Sequence, residues 1–424
     1  MNTAQFSLKP NSRILLVEPP FYRFFGYERW HYPVTLTLVG SFFEQQGHFV
    51  RIYDADKPTL DCKPLNRLDA VNNYPRYGEA LLNANHPIWR EVVSAIKEFR
   101  PDVVGLTAIT AKIDSADIIA KLTRELLGRD VKILLGGSHV QGMSLMKPDY
   151  DFGPYYDQVI ARIPDVIRFK PNKKLILDYE TYSPANFSGI MTSSGCPNKC
   201  TFCCHSFEKS MTYREISNIR KELVEIKESF GGMVPVYILD DCFFSNKAHF
   251  ENVISVLHDL GLSFSAGSRI MALSPGKIDL FIKKGGIRIL VGVESGSQRI
   301  LDRVEKRLKI EEIVRRTQWL NDAGIPWSAF FMVGFPFETH DDLKRTEEIL
   351  YKIRPTFASI NRFTPYPGTK IYSEYFADKK LEFKNLFQLN RNSCVKLTDE
   401  IEDYIERLFV AFDEYNRQNR MKHF

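Results

Sequence analysis

From Arg13 to Phe363 short apolar runs of strand length alternate with stretches of helical periodicity, and this alternation constrains the fold more than any other feature of the chain. Arg13-Ile-Leu-Leu-Val-Glu18 reads as a buried strand stopped by Pro19-Pro20, and Val34–Gln46 as a helix ended by Gly47. His48–Tyr53, Val103–Thr107, Lys132–Leu135 and Gln158–Ala161 read as further strands, with helices over Trp89–Phe99 and Ser115–Leu127. Strands joined by right-handed helical crossovers build an α/β, doubly wound, Rossmann-like parallel sheet. Such sheets bind ligands at the carboxyl ends of their strands. Those ends carry Pro19-Pro20-Phe21-Tyr22, Asp54-Ala55-Asp56, Thr107–Lys112 and Gly136-Gly137-Ser138-His139. Between them Lys57–Pro87 has no clear periodicity; it would cover the ligand face or run over the surface.

A second alternation follows. Its strands are expected at Asn186–Thr192, Val234–Leu239, Leu262–Gly267, Ile287–Val293, Trp327–Val333 and Phe357–Phe363. The helices between them are expected at about Tyr213–Phe230, Ala248–Leu260, Pro275–Lys284, Ile310–Asp322 and Asp341–Ile353. Six such units make a partial (β/α)6 barrel, whose working residues lie in the loops after its strands. The expected divisions are a polar tail over 1–12, a sheet domain over 13–165, a linker over 166–185, the partial barrel over 186–369 and an extension over 370–424. That extension holds one amphipathic helix at about Asp399–Gln418.

At the end of the first barrel strand stands Gly195-Cys-Pro-Asn-Lys-Cys-Thr-Phe-Cys-Cys-His205, with Cys196, Cys200 and Cys203 at C-x3-C-x2-C spacing. Thiolates this close can converge on one soft metal centre, zinc or an iron–sulfur cluster. A closed structural zinc site takes four protein ligands, often as two separated pairs, and no second pair occurs here. A cubane on three thiolates leaves one iron open to a non-protein ligand. Cys204 and His205 are rival ligands. Cys62, Cys242 and Cys394 stand singly, so no disulfide framework is expected and the thiols suit a cytoplasmic protein. Lys and Arg number 57 against 52 Asp and Glu, a balance too mild to call for nucleic acid. Apolar runs are strand-sized, so no membrane span is expected, and Met1–Ser12 lacks a signal-peptide core.

The cysteine spacing, with Phe202 before Cys203, resembles the signature of the radical S-adenosylmethionine (SAM) superfamily. The N-terminal half, at Leu16–Pro20, Pro33–Tyr53, Pro101–Thr110 and Leu134–His139, resembles the cobalamin-binding domain that precedes the radical SAM core in one branch of that superfamily. Two departures stand out. The D-x-H-x-x-G element of many cobalamin proteins is absent, as is usual in this branch, and Ala161-Arg-Ile-Pro164 stands where Gly-Glu-Gly-Glu is usual. Farther on, Val291-Gly-Val-Glu-Ser-Gly-Ser297, Phe330–Thr339 and Thr364-Pro-Tyr-Pro-Gly-Thr369 match the family's phrases. Together these resemble cobalamin-dependent (class B) radical SAM methyltransferases.

The resemblance implies a [4Fe-4S] cluster on Cys196, Cys200 and Cys203, SAM chelated at the open iron, cobalamin, and an external electron donor. It assigns Phe202, Asp240 or Asp241, Arg269, Glu294, Ser295, Val333 and Pro336 to SAM, with Arg269 at its carboxylate and Glu294 either accepting from SAM or orienting Arg269. For Asp240 and Asp241, capping of the helix after Asn246 is the plainer reading. It assigns Pro20, Tyr22, Asp54, Thr107, Ile109, Thr110, Gly136, Gly137 and His139 to cobalamin, although a histidine after a double glycine also serves to order a loop. Tyr366 is a substrate-contact candidate. The implied reaction is C-methylation of an unactivated carbon: one SAM charges cobalamin with a methyl group and a second yields the 5′-deoxyadenosyl radical. Relatives of this kind methylate residues of methyl-coenzyme M reductase or of ribosomal peptides; others act on pyrroles, phosphinates, lipids or antibiotic precursors. The short tail favours a peptide or protein substrate over a small molecule. A non-methylating radical SAM cyclase or lyase and a zinc-stabilised nucleic-acid-binding protein are the alternatives.

Overall fold

In the computed structural model, residues 8–64, 67–204, 210–230, 234–387 and 394–422 are described. By internal contacts the chain forms two compact units, Met1–Gly189 with Tyr366–Asn390, and Ile190–Pro365 with Arg391–Phe424. The C-terminal stretch read from sequence as one extension is thus divided between the units. The stretch read as a linker carries short 3-10 turns, and Ile176 bridges Ile52 of the first sheet.

The first unit is built on five parallel strands, Arg13–Glu18, Phe49–Asp54, Val103–Thr107, Lys132–Gly136 and Gln158–Ile160, in spatial order second, first, third, fourth, fifth. Ile14, Leu15, Leu16 and Val17 are all buried, because helices cover both faces of a doubly wound sheet. The helices are Val34–Gln45, Pro87–Phe99, Ile113–Leu127 and Ser138–Met146. Pro87 opens its helix at the position where a missing N–H costs nothing, and the His86 side chain accepts from the Ile88 N–H. The strand order reverses between Arg13–Glu18 and Val103–Thr107, so the crevice of this sheet opens at Glu18 and Thr107. Lys57–Pro87 holds two short helices, Arg67–Asn73 and Pro75–Leu82, that the sequence reading passed over.

The second unit holds a six-stranded sheet, Gly189–Ile190, Val236–Ile238, Phe264–Ser268, Gly286–Glu294, Trp327–Val333 and Phe357–Arg362, in sequential order. Its helices are Ile216–Phe230, Lys247–Asp259, Pro275–Lys283, Ile310–Asp322 and His340–Ile353. Apolar side chains of strands and helices form one continuous core that includes Val236, Phe264, Val291, Trp327, Phe331 and Leu350. The C-terminal helix Asp399–Lys422 closes the free edge of Phe357–Arg362: the Asn416 carboxamide accepts from the Ala358 N–H and donates to the Ala358 carbonyl, at 2.9 and 2.7 Å. A paired edge offers no template for a second chain.

Candidate functional site

The cysteine loop leaves the sheet through a short antiparallel ribbon, Ser193–Ser194 against Thr212–Tyr213, so it is an excursion pinned at both ends. Asp240, 5% exposed, secures the near end: it accepts from the Thr192 N–H at 2.6 Å, the Thr192 hydroxyl at 2.5 Å and the Ser193 hydroxyl at 2.6 Å. Burial raises its pKa although these three donors oppose the shift. The Asn246 side chain, not an Asp, caps the helix that follows, accepting from the His249 N–H. Asp240 is thus spent on the loop's foundation, while Asp241 is half-buried beside it.

Within the loop, Cys200 is buried, and Cys196 and Cys203 are half-buried. The Arg269 guanidinium donates to Cys200 Sγ at 3.2 Å and to the Lys306 carbonyl, which puts a cation against the thiols. The Thr201 N–H donates to the Val304 carbonyl at 3.0 Å, tying the loop to the segment that carries Lys306. Asn198 donates to Cys196 Sγ at 3.3 Å, and Cys242 Sγ lies 3.5 Å from the same sulfur. The Cys242 thiol donating to it holds Cys196 below the usual thiol range, and the same contact drives Cys242 upward. Cys242 was read from sequence as an isolated cysteine; only the adjacency of Gly189–Ile190 and Val236–Ile238 in the sheet brings it here. His205 lies outside the described residues. Among the described residues no three thiol, carboxyl or imidazole groups are gathered tightly enough to hold a metal ion as they stand. The donor chemistry nevertheless fits a cluster, with three thiols on one pinned loop and a guanidinium to offset their charge.

Around the loop, Glu294 ends its strand at a register shift with φ of +69°, a conformation unusual for a residue with a side chain. Its carboxylate pairs with Lys306 at 2.5 Å, not with Arg269. Gly292 lies beneath: a Cβ there would come 2.3 Å from the Glu294 carboxylate, so the glycine makes room for the pair. Ser295 faces inward, with its hydroxyl 3.1 Å from that of Thr346, and Ser297 caps the next turn. A Cβ on Gly296 would sit 2.1 Å from the Arg345 carbonyl, so the run's glycines and serines mainly shape the turn. Phe202 stands 6.2 Å from Phe335 between ring centres, in the loop that follows buried Val333 and includes Pro336. Tyr366 is half-buried in a turn closed by Thr369, and falls in the first unit.

That loop holds a carboxyl group missed at the sequence level. Glu338, 3% exposed, accepts from the N–H groups of Gly334 and Phe335, while its Oε1 has no hydrogen-bond partner among the described residues. Burial pushes its pKa up to about 8. A carboxyl raised in the folded state contributes stability that is whole below its unfolded value near 4.5 and is lost as pH climbs through about 8. Glu338→Gln keeps a carbonyl for both amides and cannot ionise. Its melting temperature should match wild type at about pH 4.5 and exceed it increasingly toward about pH 8, by on the order of a few kcal/mol in stability. A gap that stays constant across this range would show that Glu338 ionises as an ordinary carboxyl.

At the carboxyl ends of the first sheet, Lys112 (2% exposed) donates to Glu18 at 2.6 Å, to Asp56 at 2.7 Å and to the Pro19 carbonyl at 3.3 Å. Arg29 joins Glu18 and Asp54 at 3.2 and 2.9 Å, and Tyr182 donates to Asp54. Burial raises the Asp54 carboxyl despite Arg29 beside it. Pro20 is buried, its carbonyl accepting from the Ser115 hydroxyl, and burial raises the Tyr22 phenol. Gly137, at φ of +107°, brings its loop so close to Ala108 that a Cβ would meet that backbone at 2.5 Å. Thr107 and Gly136 stand on either side as register partners. His139 is buried, 3.3 Å from the Thr110 hydroxyl through Nδ1 and edge-on to Phe383 at 4.7 Å; burial lowers its pKa to about 4, so it is neutral near pH 7. Its Nε2 has no partner among the described residues, and neighbouring Ile109 is 40% exposed. An orphaned imidazole nitrogen beside an exposed isoleucine, at the strand ends of a doubly wound sheet, fits a large cofactor with an apolar face and polar edges.

Comparisons with known proteins agree with both units. The B12 binding domain matches residues 27–155 and the radical SAM superfamily matches residues 190–350. An uncharacterized methyltransferase of Pyrococcus horikoshii is 25% identical over 377 residues, covering 76% of this chain and 81% of its own. An anaerobic magnesium-protoporphyrin IX monomethyl ester cyclase of Rubrivivax gelatinosus is 26% identical over 67% of this chain and 60% of its own. Among solved structures, the radical SAM methyltransferase TsrM of Kitasatospora setae shares the fold over 85% of this chain and 75% of its own, with a TM-score of 0.59 and 14% identity. With a B12 binding domain followed by a radical SAM domain, and an uncharacterized methyltransferase similar to it across both, the chain carries the domain pair of cobalamin-dependent radical SAM methyltransferases, enzymes that use SAM, a [4Fe-4S] cluster and cobalamin.

Proposed function

We propose that this enzyme methylates an unactivated carbon, on a peptide or protein residue, and that Cys196, Cys200 and Cys203 hold its cluster. The observation that carries this reading is the pinned cysteine loop with Arg269 against Cys200, in a chain that also carries a B12-binding unit. When bound, the cluster and SAM supply a hydrogen-abstracting radical and cobalamin supplies the transferable methyl group. The chain's own residues bind and orient. Arg269 offsets thiolate charge and offers a guanidinium to the SAM carboxylate. Lys306 holds Glu294 in place at the strand end, where it meets the polar edge of SAM. Phe202 and the Gly334–Pro336 turn would face the adenine, while Val333, fully buried in the core, supports the strand end. In the first unit, Ile109 and the Gly136–Gly137 turn support the corrin, and neutral His139 offers Nε2 to one of its polar edges. Thiols without disulfides among the described residues suit a reducing compartment such as the cytoplasm. No described helix is long and apolar enough to cross a membrane.

The test uses SAM carrying a deuterated methyl group and anaerobically prepared enzyme assayed for iron and cobalt. Labelled product should appear, with 5′-deoxyadenosine and S-adenosylhomocysteine formed together. Deoxyadenosine without homocysteine product, from enzyme verified to hold cobalamin, would overturn methyl transfer and favour the cyclase reading that the Rubrivivax relative supports. Two of the similar proteins are named for small substrates, tryptophan and a porphyrin ester, so candidate small molecules belong beside peptides in the same assay.

A further inference from the structure

We propose that Cys196 and Cys242 form an oxidation-sensitive pair, and that a disulfide between them locks the cysteine loop when the enzyme stands without its cluster. Their sulfurs are 3.5 Å apart across the strand ends of the second unit, so a bond requires closing that gap to about 2.0 Å. Their exposures differ in a useful direction. Cys196 is half-buried on the loop, whereas Cys242 is 2% exposed beneath it, flanked by Asp241 and buried Phe243. An oxidant reaches the outer thiol first, and the buried thiol resolves the product. With a peroxide, the Cys196 thiolate attacks one oxygen and displaces hydroxide; the sulfur is oxidised to sulfenic acid and the peroxide is reduced. The Cys242 sulfur then attacks the sulfenic sulfur. An S–S bond forms, the S–O bond breaks, and water leaves with the Cys242 proton. Overall two thiols and one peroxide give one disulfide and two waters.

The consequence is protective. The linked Cys196 cannot reach sulfinic acid, which thiol reductants do not reverse, while the disulfide is restored by a dithiol. It also withdraws one thiolate from the cluster, so loop and iron become mutually exclusive until reduction. This consequence rests on the cluster assignment; the linkage itself does not.

The test treats the full-length, cluster-free chain with stoichiometric hydrogen peroxide, blocks remaining thiols, and reads tryptic peptides by mass. Cleavage after Lys174 and Lys199 leaves Cys196 as the sole cysteine of its peptide, and cleavage after Lys227 and Lys247 does the same for Cys242. The expected result is a single dominant species joining 175–199 to 228–247, lost on dithiol treatment. Iron uptake during reconstitution should drop at least tenfold in the oxidised chain and return on reduction. Cys242→Ser and Cys242→Ala should abolish the linked species and leave Cys196 as sulfenic acid at one equivalent of peroxide and as sulfinic acid at two; Cys196→Ser should leave Cys242 unoxidised. Peroxide that joins Cys196 to Cys200, Cys203 or Cys204 in preference to Cys242, or that leaves Cys196 untouched, overturns the proposal. A clear linkage with unchanged iron uptake would keep the pair and instead remove Cys196 from the cluster assignment.

Discussion

Changing Cys196, Cys200 or Cys203 to Ala is expected to abolish iron binding and reductive cleavage of SAM, whereas Cys204→Ala keeps both. A [4Fe-4S] cluster with an open iron for SAM requires three thiolates, and removal of any one exposes a second iron to solvent. Arg269→Ala should act differently. The loop stays pinned by Asp240 and the Ser193–Ser194 ribbon, so iron still loads, but SAM affinity falls by about 1.5–3 kcal/mol with the loss of a charge-assisted bond. Iron and labile-sulfide assays on anaerobically reconstituted variants check the cysteines, with deoxyadenosine formation as the second readout. A Cys204 variant as iron-poor as the other three would move the ligand assignment by one residue.

How far the sequence anticipated this molecule differs between elements for physical reasons. Strands in parallel sheets are buried on both faces and read as continuous apolar runs, which is why Arg13–Glu18 and Trp327–Val333 stand where the periodicity placed them. The two helices inside Lys57–Pro87 escaped because Arg67–Asn73 is largely polar and Pro75 interrupts the pattern between them. The helix Ser138–Met146 escaped because it starts immediately after a double glycine that reads as a turn. At the site, local spacing identified the cysteine loop, yet partners distant in sequence were not readable from it. Glu294 meets Lys306 because a register shift and a left-handed backbone angle turn its side chain there. Cys242 meets Cys196 across 46 residues because their strands are neighbours. Asp240 shows the converse: an acidic residue at a barrel-strand end invites a ligand role, and the hydrogen bonds it accepts from Thr192 and Ser193, which give it a structural one, could not be read from spacing.

The second large effect is expected in the first unit, at Lys112. Burial alone would lower the pKa of this ammonium, but Asp56 and Glu18 more than compensate and hold it above the ordinary lysine value. The cation is therefore the counter-charge of the crevice where the strand order reverses. Lys112→Met preserves most of the side-chain volume and removes the charge, leaving Asp56, which is fully buried, without its ammonium partner. Breaking a buried ion pair on one side costs roughly 3–5 kcal/mol, a large share of the ~5–15 kcal/mol that keeps a typical domain folded. Urea unfolding of the variant should show a loss of that size near neutral pH. The loss should shrink in acid, where carboxyls lacking a cation take up protons. Adding Asp56→Asn to the variant should recover much of the stability: the Asn carbonyl still accepts from the Phe21 N–H, and Glu18 keeps Arg29 at 3.2 Å. If Lys112→Met were nearly neutral, or if Asp56→Asn added its own loss instead of restoring stability, the buried charges would not be acting as a pair.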